Sequence, residues 1–132
     1  MKITEIDHFV LVTEDLQKCV QFYEGILGLE HVCEGGKHSL RFGSSKINIH
    51  TRAGEFSPFA ARPSAGSADF CLICKGQSAQ QLKTELESKG VQIELSSCLA
   101  RARAALCKVS TCAILTAISS KSAYMKAAMI SA

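Results

Sequence analysis

The alternation of apolar and polar positions divides the chain into short elements. Residues 6–13 (Ile-Asp-His-Phe-Val-Leu-Val-Thr) are rich in branched and aromatic side chains and predict a β-strand. Thr13, Glu14 and Asp15 then supply helix-capping chemistry, with acids near the positive end of the helix dipole. Leu16, Val20, Tyr23 and Leu27 follow at helical spacing, widened by Cys19 and Ile26, and Gly28 is placed to stop that helix. Short strands are predicted over 29–33, 39–42 and 46–51, with turns at Gly35-Gly36 and Gly43-Ser44-Ser45. Residues 3–51 therefore read as a βαβββ module.

Residues 52–66 form a linker holding Pro58, Pro63, Gly54 and Gly66, and then the pattern restarts. Residues 67–74 predict a strand, Ser78 caps a helix with Ala79, Leu82 and Leu86 on one face, Gly90 ends it, and 91–94 open another strand. His8-Phe9-Val10-Leu11-Val12 aligns with Asp69-Phe70-Cys71-Leu72-Ile73, 61 positions on, and Gly28 aligns with Gly90, 62 positions on. Two nearly equal offsets indicate an internal repeat. The expected fold is α+β, made of paired βαβββ modules. The second module, starting over 67–94, is incomplete, because the sequence after Glu94 shows no further strand signal.

Composition sharpens that boundary. The chain of 132 residues is one domain's worth and carries a net charge of +3. All twelve acids lie at or before Glu94, against ten Lys and Arg in the same stretch, whereas 95–132 hold five bases and no acid. The last glycine is Gly90, the last proline is Pro63, and ten of the final 33 residues are alanine. Five bases dispersed among Ala, Ser and Cys make a poor nucleic-acid footprint, so no nucleic-acid partner is expected. The uncharged stretch 109–120 is too short to cross a bilayer, so no membrane partner is expected either. No apolar targeting core is visible at the start, which makes a cytoplasmic location the expectation. Seven cysteines, an odd number, argue against a disulfide framework. Cys71 and Cys74 are three apart on a predicted strand and face opposite sides, so they cannot share a metal.

The motifs Ile-Asp-His-Phe-Val-Leu-Val, Phe-Tyr-Glu-Gly-Ile-Leu-Gly-Leu-Glu, Lys-Ile-Asn-Ile-His and Gly-Ser-Ala-Asp-Phe-Cys-Leu-Ile resemble the vicinal oxygen chelate superfamily. Within it, they are most like the glyoxalase-domain-containing protein 5 and virulence-associated glyoxalase-like group. The resemblance covers residues 3–94. It implies paired modules whose sheets curl around a shared cavity, commonly with a divalent metal (Zn, Ni, Fe or Mn) bound from the first and last strands. Glyoxalase I, extradiol dioxygenases and bleomycin-binding proteins share that fold, so the fold alone does not choose a chemistry. The implied function is a metal-dependent lyase, isomerase or dioxygenase acting on a small oxygenated substrate, as in lactoylglutathione lyase. The alternatives are a metal-free drug-sequestering module and an inactive product.

Such proteins close the second module with a strand resembling Ser-Ile-Tyr-Phe-Arg-Asp-Pro-Asp-Gly-Asn-Leu-Ile-Glu, whose Glu is the last metal ligand. Here Val-Ser-Thr-Cys-Ala-Ile-Leu-Thr-Ala-Ile-Ser-Ser-Lys stands instead. Joining the third base of each codon from Cys112 to the first two of the next, as far as Lys121, permits Arg-Asp-Pro-Asp-Gly-Asn-Leu-Val-Glu. The expectation is that 95–132 are a frameshifted tail, which accounts at once for the missing acids, glycines and prolines. Its alanine content favours helix over strand, and the uncovered sheet edge invites a homodimer or a domain-swapped oligomer.

The resemblance also assigns candidate site residues. His8 holds the first metal-ligand position, and neutral imidazole suits such metals. Asp69, its repeat partner, supplies a carboxylate that can ligate a hard cation. Asn48 and His50 are two apart on the last strand of the first module and share a face, with register deciding which of them takes the family's next ligand position. His50 is the better metal ligand and Asn48 the better substrate contact. Arg62, in the linker, is a candidate contact for an anionic substrate, whereas His31 and His38 flank a glycine turn and read as surface residues. The hidden-frame Glu overlaps Lys121, which repels a cation, so metal binding is expected to be weak or absent in this chain. Neither a P-loop nor a dinucleotide fingerprint is present.

Overall fold

The computed structural model describes residues 1–91, 93–94, 113–117 and 125–131. The chain divides into two compact units, Met1–Ala68 and Asp69–Ala132. In the first, β1 (His8–Val12) leads to α1 (Leu16–Val20), a π-helical turn (Gln21–Ile26), β2 (Glu30–Glu34), β3 (Lys37–Phe42) and β4 (Ser45–His50). The sheet order is β1-β4-β3-β2, with β1 parallel to β4 and the other pairs antiparallel.

Local chemistry fixes these boundaries. The Asp15 carboxylate caps α1 by accepting from the Lys18 N–H at 3.0 Å, and that contact, the largest influence, holds its carboxyl below the usual range. The helix does not run on regularly, as its apolar spacing suggests. At Phe22 it widens, and the Leu27 N–H reaches the Phe22 carbonyl at 3.1 Å, five residues back. Phe22 and Tyr23, adjacent in sequence, are both buried and meet edge to face at 5.1 Å. Gly28 follows at φ +77. Between β2 and β3, Gly35 and Gly36 both take positive φ, as a two-residue hairpin turn requires, so β3 starts at Lys37, earlier than its apolar pattern indicates.

Register defines two faces of this sheet. Phe9 and Leu11 pair with Ile47 and Ile49, and Leu40 pairs with Ile47. Leu11, Leu40, Ile47 and Ile49 are essentially inaccessible and form the core with Cys19, Phe22, Tyr23 and Leu29. Strand alternation then places His8, Val10, Ser39, Arg41, Lys46, Asn48 and His50 on the opposite face.

The second unit has β5 (Asp69–Cys74), α2 (Ala79–Ser88), β6 (Ile93–Glu94), β7 (Ala113–Ala117) and β8 (Met125–Ser131). Ser78 and Gln81 form a reciprocal capping box at the start of α2, and Leu82 and Leu86 are buried. The strand order β5-β8-β7-β6 repeats that of the first unit, with β5 parallel to β8. The paired βαβββ plan is therefore present. Two strands missed by the sequence pattern, β7 and β8, lie in the alanine-rich tail where helix was favoured, because helix propensity is a weak prior that ladder pairing overrides. The tail was expected to depart from the family conformation; within it, strands are described at 113–117 and 125–131, and the rest of 95–132 lies outside the described residues. No helix among the described residues is long and apolar enough to cross a membrane.

Candidate functional site

The non-core face of the first sheet lines a cavity of about 360 Å³, closed on one side by Phe56, Ser57 and Pro58 from the following loop. Period-two alternation brings the side chains here. On β4 it projects Lys46, Asn48 and His50, on β3 Lys37, Ser39 and Arg41, and on β1 His8 and Val10. Asn48 is paired in register with Val10 on one side and Ser39 on the other, in the middle of the face. One end of the cavity holds Lys46, in register with His8 and with Arg41. The other end holds His50, in register with Val12.

His50 is buried, and its Nδ1 has no hydrogen-bond partner. Its ring meets Phe56 edge to face at 5.2 Å, and the Lys37 ammonium lies 5.3 Å from the centre of the Phe56 ring. A buried nitrogen without a partner costs free energy, about 1–3 kcal/mol. At the other end, His8 Nδ1 is engaged by the Asp7 carboxylate. That bond, foremost, holds the Asp7 carboxyl below its usual range. It leaves His8 Nε2 for a ligand, and a carboxylate behind an imidazole is also how metal-binding histidines are oriented.

A divalent metal is implied by the resemblance, and its fit can be judged from the donors. Four residue steps along the strand separate the His8 register position from His50, roughly 13 Å along the sheet. Imidazoles on one metal must bring nitrogens to ~2.0–2.1 Å of it, so this register does not bring His8 and His50 together. Lys46 stands beside His8, where it repels a cation. Glu34, the carboxylate among the lining residues, is paired with Arg41 at 3.2 Å. Among the described residues no three His, Cys, Asp or Glu side chains are grouped to hold a metal ion. The first unit's residues thus fit a metal centre poorly.

Of the residues singled out in the sequence, His8, Asn48 and His50 line this cavity from the polar face, and His38, which strand alternation sets on the other face, also borders it. Asp69 opens β5 in the second unit, in register with Lys126. Arg62 is exposed in the loop and is not among the lining residues. His31 and His38, read as surface residues, are hydrogen-bonded to one another and partly buried. Sequence reasoning passed over Lys37, Arg41 and Lys46. The signal was present, since Lys46 is two positions before Asn48, and Ser39 and Arg41 alternate with buried Leu40. Only the register showed that these positions continue one face across three strands.

A βαβββ sheet with a polar, histidine-bearing hollow on its non-core face defines a cavity-forming class of small α+β domains. The chain belongs to the Glyoxalase/Bleomycin resistance protein/Dioxygenase superfamily, whose family model matches residues 5–95. It is 45% identical over 74 residues to virulence protein STM3117 of Salmonella typhimurium, covering 55% of this chain and 51% of that protein. It is 36% identical over 94 residues to glyoxalase domain-containing protein RDO1 of Mycosarcoma maydis, covering 70% of this chain and 52% of that protein. The chain thus spans about half the length of these curated relatives. Among solved structures, the integron cassette protein VCH_CASS1 of V. cholerae superposes with a TM-score of 0.75 at 28% identity, covering 98% of this chain and 97% of that one. The family match ends one residue after Glu94, the last acid.

Proposed function

We propose that the chain is a small-molecule-binding domain whose first-unit cavity takes a small, oxygen-rich anion such as a carboxylate or phosphate. The observation that carries this reading is the charge of one sheet face. Lys37, Arg41 and Lys46 line the cavity with His8 and His50, and Glu34 is paired with Arg41. Ser39 and Asn48 offer a hydroxyl and an amide midway to orient the ligand's oxygens. A concave, partly apolar hollow with a few convergent polar groups is the usual form of a ligand site. Calorimetric titration with malonate and with inorganic phosphate tests it, with saturable binding lost in Arg41→Ala/Lys46→Ala as the expected result.

The Asp7–His8 pair favours a second reading, a metal-dependent lyase or isomerase. His8 would be one ligand, and the metal would supply Lewis-acid activation of the substrate's oxygens. Titration with Ni, Zn and Mn discriminates, using His8→Ala as control. The departure of 95–132 from the family pattern supports a frame change near Leu95, with the family's closing Glu lost and self-association following from it. The gene sequence decides this, since codons unable to spell Arg-Asp-Pro-Asp-Gly-Asn across 112–118 would refute it.

A further inference from the structure

We propose that Cys33 is a covalent modification site, its thiol served by a hydrogen-bonded His38–His31 pair, and that it reacts with small-molecule disulfides. The three residues lie on the sheet face opposite Asn48 and His50. Cys33 is in register with His38, His38 with Ile49, and His31 with Leu40, and Ile49 and Leu40 belong to the core. The cluster sits at the border of that face, on edge strand β2 and its neighbour β3.

The geometry is that of a nucleophile, a base and an orienting group. His31 Nε2 and His38 Nδ1 are 3.0 Å apart. Their ring planes agree within 5°, and the ring centres are 5.2 Å apart. The excess of the second distance over the first is about two ring radii, so the imidazoles lie end to end, with the N–H of one aimed at the lone pair of the other. One proton serves the pair. When His38 Nδ1–H donates to His31 Nε2, His38 Nε2 is bare, and it faces Cys33 Sγ at 3.9 Å. His31 is itself held in place, because its backbone N–H donates to the Glu24 carboxylate at 3.3 Å.

The other described thiols lack this arrangement. Cys19 is buried, and burial pushes its thiol up to about 12. Cys74 donates to the Lys75 carbonyl and to Gln77 Oε1, oxygens that accept its hydrogen bond without taking the proton. Cys33 is exposed and has a basic nitrogen as its neighbour.

In the step, the Cys33 thiol proton passes to His38 Nε2 and the sulfur attacks one sulfur of the disulfide. A Cys33–S–S–R bond forms and the R–S–S–R bond breaks. The departing thiolate takes the proton back from His38, so Cys33 is oxidised to the mixed disulfide and one equivalent of R–SH is released.

The test is site-resolved peptide mass spectrometry of the full chain exposed to 2-hydroxyethyl disulfide, with Cys74 as the internal reference and Cys19 as the reporter of folding. The expected result is modification of Cys33 roughly tenfold faster than Cys74, a gain typical of a positioned base at its modest end. His38→Gln lowers the Cys33 rate to that of Cys74, and His31→Leu lowers it severalfold, with Cys19 unreactive throughout. A Cys33 rate equal to that of Cys74 in the unsubstituted chain overturns the proposal. So does a fast rate that survives both substitutions in chains whose Cys19 stays protected, because exposure alone would then explain it.

Discussion

The two sheets have one strand order built from two kinds of sequence. In the first, β1-β4-β3-β2 comes from residues whose alternation sets an inaccessible row, Leu11, Leu40, Ile47 and Ile49, against a polar row, His8, Arg41, Lys46, Asn48 and His50. In the second, β5-β8-β7-β6 draws two of its strands from the acid-free, alanine-rich tail, beyond residue 95 where the family match ends. The second sheet keeps the ladder pattern over its described residues. Topology can thus be met by backbone pairing, while a charged and hydrogen-bonding face needs particular residues at alternate positions. The first sheet lies within the family match, and β7 and β8 lie beyond it.

Core truncations should separate the units most strongly. Leu40→Ala removes a fully buried side chain from the first unit, and Leu86→Ala one from the second. Each is expected to cost about 2–5 kcal/mol by urea unfolding. Hydrogen exchange should assign the lost protection to β1–β4 in the first case and to α2 in the second. Equal loss over both units in either variant would break the comparison. A smaller effect concerns the cavity face, where Lys46→Glu reverses a charge next to His8. It is expected to weaken malonate binding about tenfold, or ~1.4 kcal/mol, with unfolding unchanged, and calorimetry on the folded variant reads this out.

Smaller again is the turn that sets the first sheet's register. Gly36 sits at φ +78 with open space around the position of an added Cβ. Gly36→Ala therefore meets backbone strain but no clash, and should cost about 1 kcal/mol. Restriction of that loss to the first unit, by exchange, would sharpen the contrast.

Alkaline stability gives a further, graded test. Burial, then the nearby Asp15 charge, raises the Cys19 thiol from 9.0 to about 12, and burial raises the Tyr23 phenol as well. Both groups are neutral in the folded chain. Their contribution is complete below the unfolded value and is lost as pH rises through the folded one. Urea midpoints should fall between pH 9 and 12, and Cys19→Ala should flatten that fall. A midpoint independent of pH over that range would remove Cys19 and Tyr23 from the core.

Much of the first unit was legible in the chain. The offset between His8 and Asp69 announced the repeat, the Thr13–Asp15 segment announced the start of α1, and Gly35-Gly36 announced the hairpin. The widened turn at Phe22 was not, because apolar spacing reports which residues are buried and not how the backbone adjusts to bury two adjacent aromatics. β7 and β8 were hidden because their pairing is long-range while alanine content is a local signal. Half of the site was legible too. His8, Asn48 and His50 were found by motif and alternation, whereas Lys37 and Arg41 join them through the β3–β4 register, which no single strand's pattern contains. The His31–His38 contact depends in the same way on β2–β3 pairing.

The central claim is that the first sheet's polar face binds a small anion. The most direct measurement is a two-dimensional amide NMR titration of the full chain with malonate and, separately, with its uncharged diamide. The account predicts saturable shifts with malonate, concentrated at Ser39, Arg41, Lys46, Asn48 and His50 and abolished in Arg41→Ala/Lys46→Ala, with the diamide giving none. Equal shifts with both compounds, or malonate shifts confined to residues outside β1, β3 and β4, would contradict it.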